Sequence, residues 1–395
     1  MSGILNSTYN NVNFALARHA EALFRLQEQA STGSKINRPS DDPSASYRVL
    51  TLDTESSTLE NYINKLSDMS GTLDTSSSVI QQMVLIINQV KVNITQVTSG
   101  VYDQDSRDRT AEAVNDLLEQ VVQLANTKFN DQYLFGGSDT NSTPFVAERS
   151  DGVITAVSYQ GSQKSRSVEV APGVSAVAYS NGDEMFCSDN RTTPVFEGVT
   201  GAATGAGTSS VTGNVWLTVT NDGTNYKLSI DDGVTFTTVP TTGNENLAVT
   251  DSRTGKVLYV DASGITTTGV ELVRVPGTHD MFDMLISIRD ILKNERNLSN
   301  AQIQELRNSA LGTFDEVSKL LLQKEVSIGS KSGFLSNLKS NLEELKNHNT
   351  DESDQLKQAD IAQIAIDISR HDTLYQMSLS VAGRLMSMSL LDFIQ

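Results

Sequence analysis

The distribution of proline divides this chain before any other feature does. Proline is absent from Ser44 to Thr143 and again after Pro276. Its missing N–H and its clash with the preceding turn exclude it from helix interiors, so both tracts are free to form continuous helices. The stretch between them is not, because it holds five of the seven prolines and, from Gly152 to Gly277, 16 of the 26 glycines. The sequence reads helical, then non-helical, then helical.

Hydrophobic periodicity sharpens that division. Steps of four and three run through Ala45, Val49, Leu52, Ser56, Leu59, Ile63, Leu66, Ser70, Leu73, Ser77, Ile80, Val84, Ile87, Lys91 and Ile94. A heptad seam sustained over this length points to a coiled coil, and its serines keep it thin enough for close helix approach. Gly100 is expected to end this helix. A second should follow from about Asp105, with Ala111, Val114, Leu118, Val121 and Ala125 on its face, and run out at Phe135-Gly136-Gly137. Beyond the middle region, Phe282, Leu285, Ile288 and Leu292 define a short helix. Phe314, Val317, Leu321, Ile328, Leu335, Leu338, Leu342 and Leu345 define a long one. Two helical regions flanking a compact insert with adjacent ends meet in space. The expected fold is therefore mixed and mainly α: a discontinuous coiled-coil helical bundle formed by both termini, with a β-rich inserted domain.

In the middle region the period changes to two. Val215, Leu217 and Val219 precede Asn221-Asp222-Gly223; Tyr226, Leu228 and Ile230 precede Asp231-Asp232-Gly233; Val234 and Phe236 follow. Asp-Gly turns between alternating apolar runs signal hairpins. Ile154 to Gln160 and Ser165 to Val170 read as earlier strands, and Leu247 to Val260 as a hairpin around Thr254-Gly255. The Gly/Ala/Thr/Ser stretch from Thr200 to Gly213 reads as a flexible loop that divides the insert.

Each end of the chain carries an amphipathic stripe. Tyr9, Val12, Leu16, His19, Leu23, Leu26 and Ala30 form the first, and Leu374, Met377, Val381, Leu385, Met388 and Leu391 the second. Alone, neither offsets the conformational entropy of ordering its segment, so each is expected to fold against partner helices. Docking on the chain's own bundle is the plainer alternative. Between the first stripe and the long seam, Gly33 suits a helix C-cap, and Asp42-Pro43 an N-cap with proline at the first helical position.

Charge and residue usage exclude several functions. A formal net charge of −18 disfavours nucleic acid and anionic membranes. Cys187 is the lone cysteine, so no internal disulfide forms. No run approaches the ~20 apolar residues of a membrane span. The start of the sequence lacks the pattern of a secretory signal, so if the protein leaves the cytoplasm another exporter is expected to carry it. His19, His279, His348 and His371 are far apart in sequence and show no metal-ligand spacing, although His19 and His371 could approach in an inner helical layer. No nucleophile, base and orienter can be assembled. The chain is read as a non-enzyme with no catalytic, cofactor or metal site.

Four segments carry a family resemblance. Ser31 to Ser46 (STGSKINRPSDDPSAS), Leu124 to Gly137 (LANTKFNDQYLFGG), Asn181 to Phe186 (NGDEMF) and Ser389 to Ile394 (SLLDFI) occur in order. They resemble motifs of the flagellin-like axial proteins of the bacterial flagellum, and among these the hook-filament junction proteins. The resemblance covers both helical arms and the start of the insert; residues from about 195 to 277 match only in general β character.

What the resemblance implies is an organisation and a set of partners. Residues 1–42 and 355–395 would form a terminal assembly domain, 43–140 and 278–354 a long-helix bundle, and 141–277 an outer β-rich insert, split near 195–213 if it is two subdomains. Val12, Leu16, Leu23, Leu26, Leu374, Val381, Leu385, Met388 and Leu391 would carry self-assembly. Gly33, Asn37, Pro39, Ser40, Asp41, Asp42 and Pro43 would form the junction loop. A cytoplasmic export chaperone would take Leu374, Met377, Val381, Leu385 and Met388 before type III export. Other partners would be further copies in a ring of about eleven, a hook-side junction protein and flagellin, outside the cell at the hook-filament junction. The alternatives are flagellin itself and a secreted adhesin-like module with the insert as its binding head.

Overall fold

The computed structural model describes the backbone of residues 2–98, 103–296 and 298–394. It describes side chains for 10–96, 103–296, 298–299 and 302–384. In chain order the elements are α1 (Ser2–Thr32), α2 (Pro43–Thr98), α3 (Gln104–Ala125), β1 (Lys128–Phe129), β2 (Gln132–Tyr133), β3 (Phe145–Ser150), β4 (Val153–Tyr159), β5 (Arg166–Ala171), β6 (Val174–Tyr179), α4 (Gly182–Phe186), β7 (Val195–Glu197), β8 (Ala203–Thr204), β9 (Gly213–Asn221), β10 (Tyr226–Ser229), β11 (Thr237–Thr238), β12 (Leu247–Thr250), β13 (Val257–Asp261), β14 (Gly269–Val275), α5 (Met281–Lys293), α6 (Asn300–Lys357) and α7 (Ile361–Ile394). Long helices from both ends of the chain flank a sheet-rich middle, as the proline distribution predicts. Gly100, expected to end α2, lies outside the described residues.

Contacts divide the chain into two compact units, Met1–Lys65 with Asn337–Gln395, and Leu66–Ser336. Every seam position from Ala45 to Ile94 is buried or half-buried. Leu52, Leu59, Leu66, Leu73, Ile80, Ile87 and Ile94, one heptad apart, are buried. Each such side chain contributes roughly 1.5–3 kcal/mol of burial, so the row is the main stabilising feature of the helix.

In the unit containing both chain ends, α2 runs antiparallel to α6. Asp53 accepts a hydrogen bond from Ser353 at 2.9 Å, and Glu60 pairs with Lys346 at 3.2 Å, seven residues forward on one helix and seven back on the other. Asp53 also pairs with Lys357 at 3.0 Å. Desolvation opposes ionisation of Asp53, but the hydrogen bonds from Lys357 and Ser353 outweigh it and hold the carboxyl below its usual range.

Within Leu66–Ser336 the same antiparallel pairing recurs: Ser332 donates to Asp74 at 3.2 Å, Gln81 to Glu325 at 2.7 Å and Lys91 to Asp315 at 2.7 Å. Here α2 buries a second heptad row, Met69, Ser76, Met83 and Val90, so a wider face is covered. The face of α3 is as expected, with Ala111, Val114, Leu118, Val121 and Ala125 buried and Asp103 as N-cap. Its end is not. The helix stops at Ala125, ten residues short of Phe135, because the Asn126 side chain turns to the backbone of Phe145, donating at 2.8 Å and accepting at 3.0 Å. Asn130 (φ 49°) and Asp131 (φ 61°) then make the tight turn of the β1–β2 hairpin.

The β region has a five-stranded antiparallel sheet of order β11-β10-β9-β14-β7 and a three-stranded sheet of order β12-β13-β8. Leu217, Val219, Leu228, Val249, Leu258, Val260 and Val273 from both sheets share one core. The Asn-Asp-Gly hairpin forms as predicted, with Val219 opposite Leu228. The next strand is shorter than its alternation suggests: β11 is Thr237–Thr238 only, and Val234 and Phe236 are exposed. Asp231 holds that connection, accepting from Ser229, from the Thr235 amide and hydroxyl, and from Ser252. The 200–213 stretch is no free loop. Ala203–Thr204 pairs with β13, Ser210 N donates to Val257 O at 2.7 Å, and Thr200, Ser209 and Val211 are buried.

Candidate functional site

The terminal stripes lie in the unit of Met1–Lys65 and Asn337–Gln395, where α1 packs along α7. Val12, Leu16, His19, Leu23 and Leu26 are half-buried in that pair, as are His371 and Leu374 on α7, with Ile364 fully covered. His19 Nδ1 and His371 Nδ1 are 3.2 Å apart, and their ring centroids 5.4 Å. Six of the nine described stripe residues are therefore half-covered within one chain, while Ala30 is exposed. Met377 (61% exposed) and Val381 (48%) instead form an outward row with Ile366 (62%). The side chains of Leu385, Met388 and Leu391 lie outside the described residues.

Heptad spacing missed five exposed apolar side chains on this pair: Phe14, Phe24, Ile361, Ile366 and Leu379. The signal available was two phenylalanines off the seam of the first helix, in a chain with only 6% aromatics.

The loop after α1 is built by its own polar residues. Gly33 takes φ +70° and ends α1, its amide bonding Gln29 O at 2.9 Å. Lys35 N donates to Lys357 O and Ala359 N to Gly33 O, tying the loop to the α6–α7 break. One Asp41 carboxylate oxygen accepts from Asn37 N at 3.1 Å and Arg38 N at 2.9 Å. Asn37 joins Thr32 and Ser34 O through its side chain. Asp42 caps α2 by accepting from Ala45 N at 2.9 Å, with Pro43 as the first helical residue. Pro39, Ser40 and Pro43 are exposed.

A second convergence lies within Leu66–Ser336. The segment ending α3 and the Asn181–Phe186 segment meet: Gly182 N donates to Phe135 O at 3.0 Å and Gly137 N to Ser180 O at 3.2 Å. Phe135 and Phe186 contact edge-to-face at 4.9 Å, and Phe145 and Phe282 join them. A Cβ on Gly136 would lie 2.2 Å from Asp139 O, so only glycine permits this approach. Beside the cluster, Cys187 donates to Asp183 at 3.3 Å. Burial, with Asp280 and Asp183 nearby, pushes its thiol well above the ordinary range and so disfavours the reactive thiolate. Among the described residues no His, Cys, Asp and Glu side chains group as a metal site, and no helix is long and apolar enough to cross a membrane.

Comparison with known proteins places these features. Residues 5–140 match the family model of the bacterial flagellin N-terminal helical region. The N-terminal part of the chain is similar to flagellins. Over 162 residues it is 28% identical to flagellar hook-associated protein 3 of Escherichia coli K12, covering 41% of this chain and 49% of that protein. Over 189 residues it is 28% identical to flagellar hook-associated protein 3 of Salmonella typhimurium LT2, covering 48% and 54%. The chain thus spans about half the length of these relatives. The crystal structure of flagellar hook associated protein-3 from Legionella pneumophila matches the fold with TM-score 0.51 and 17% identity, over 77% of this chain and 96% of that one.

Proposed function

We propose that this chain is a flagellar hook-associated structural protein, located in the flagellum and assembling with other flagellar components. The observation that carries the reading is the similarity to two hook-associated proteins, each over more than 160 residues. More finely, it forms the junction between the hook side and the flagellin filament, as a ring of its own copies, with a hook-side junction protein and flagellin as neighbours.

Assembly on this reading uses the α1–α7 pair. The seam formed by Val12, Leu16, Leu23, Leu26 and Leu374 holds the pair together, while Val381 and Met377 present apolar surface to other subunits. Half-buried seam residues gain further burial when neighbours cover them, so part of the folding free energy is released on assembly. The Gly33–Pro43 loop connects α1 to α2 beside the break between α6 and α7. Before export through the flagellar type III route, a cytoplasmic chaperone covers Met377, Val381 and the residues that follow, by contact between an amphipathic helix and a groove. The absence of an internal disulfide leaves the chain free to unfold for passage.

Deletion of the gene tests the reading. Cells should keep hooks but release flagellin into the medium, scored by immunoblot of the culture supernatant. Unchanged cell-bound flagellin would contradict it.

A further inference from the structure

Within Leu66–Ser336 a cleft of about 240 Å³ opens between α6 and the β5–β6 hairpin with α4. Lys324, Ser327 and Lys331 line it from α6, and Ser165, Ser180 and Glu184 from the other wall. Neither Lys324 nor Lys331 has an ionic or hydrogen-bonding partner among the described residues, and Glu184 is not within ion-pair distance of either. In a chain of net charge −18, two uncompensated ammonium groups on one wall of a cleft make a local positive site that attracts an acidic surface. They are seven residues apart on a continuous helix, hence on one face and about 10.5 Å apart along it.

The same unit carries a matching opposite surface on α3. Asp105, Arg109, Glu112 and Asp116 recur at helical spacing and are exposed. The carboxylates of Asp105, Glu112 and Asp116 have no ion-pair partner among the described residues, and Arg109 is turned to the Asp105 carbonyl. Asp105 and Glu112 are also seven residues apart. Their signs along the helix run minus, plus, minus through Arg109, and the cleft offers Lys324 and Lys331 on one wall with Glu184 on the other.

We propose that the cleft receives the exposed acidic face of α3 from a second copy of this chain, with Asp105 and Glu112 against Lys324 and Lys331. The two surfaces lie on different elements, so the contact is head-to-tail, and repeating it generates a ring or an open helix of copies. The proposal rests on the assembling-subunit reading above and specifies one of its interfaces. Near physiological salt the long-range repulsion between acidic copies is screened, while charges in direct contact still interact.

Zero-length carbodiimide coupling tests this, because it joins an amine to a carboxylate only where the two touch. Purified full-length chain in unlabelled and ¹⁵N-labelled forms is mixed, coupled in 0.15 M NaCl and mapped by mass spectrometry. The expected product is an isotopically mixed crosslink from Lys324 or Lys331 to Asp105, Glu112 or Asp116. Lys324→Glu/Lys331→Glu should lower its yield more than tenfold with an unchanged melting curve, and mixing that variant with Asp105→Lys/Glu112→Lys should restore inter-copy crosslinks. No crosslink, a crosslink within one copy only, coupling of the lysines to other carboxylates, or no restoration in the mixture would each overturn the proposal. Flagellin release by the deletion strain tests the assembling-subunit reading separately.

Discussion

His19 Nδ1 lies 3.2 Å from His371 Nδ1, joining helices that are 352 residues apart in sequence. This contact sits in the seam of the α1–α7 pair, where the remaining half-buried side chains are mostly aliphatic. One imidazole donates and the other accepts, so replacing either leaves its partner unpaired in a half-covered seam. His371→Ala should speed amide hydrogen exchange across residues 12–26 by an amount equivalent to about 1 kcal/mol of lost opening free energy. In a double-mutant cycle with His19→Ala the second substitution should add little. Additive effects would show that the two rings do not interact.

The Phe135–Phe186 contact ties the end of the α3 segment to α4. Phe186 is fully buried among Phe135, Phe145 and Phe282. Phe186→Ala should cost about 3–5 kcal/mol in urea unfolding, and Phe186→Leu clearly less. A loss below 1 kcal/mol for the alanine variant would mean that the cluster is not packed as described.

Acid sensitivity should trace partly to His279. It is fully buried, and neither ring nitrogen has a hydrogen-bond partner among the described residues. Burial, with Arg274 adding, pushes its pKa down to about 4 from 6.5. Because the unfolded chain takes up the proton more readily, its contribution to stability is present above pH 6.5 and is lost as pH falls toward 4. His279→Leu should flatten the urea midpoint across that window. A wild-type slope retained in the variant would assign the sensitivity elsewhere.

Glu271 works in the opposite sense. Burial raises its carboxyl above the usual range, against a hydrogen bond from Thr200, and one of its oxygens has no partner among the described residues. A raised carboxyl contributes stability at low pH that is lost as pH rises through its folded value. Glu271→Gln should therefore raise the urea midpoint at pH 8 and change it little at pH 4. A variant less stable at pH 8 would contradict this.

Much of the helical architecture is legible in the sequence because its signals are local. Each seam position of α2 is covered, and Asp42-Pro43 begins that helix as its chemistry demands. What sequence misses depends on distant partners. Ala125 ends α3 because Asn126 finds the Phe145 backbone, 19 residues on. Ala203 and Thr204 become a strand because β13 offers an edge, which low-complexity composition does not announce. At the candidate site the apolar spacing identifies residues of the α1–α7 pair, yet it cannot say which of them face each other. Leu16 and Leu23 turn inward, while Phe14 and Phe24, off the heptad, turn out.

Immunogold electron microscopy of intact flagella, with antibody against this chain, tests the hook-filament assignment most directly. The account predicts a single band of label at the boundary between hook and filament. Label along the whole filament would assign the chain as its bulk subunit, and label over the cell surface away from flagella would make it an adhesin; either result would contradict the account.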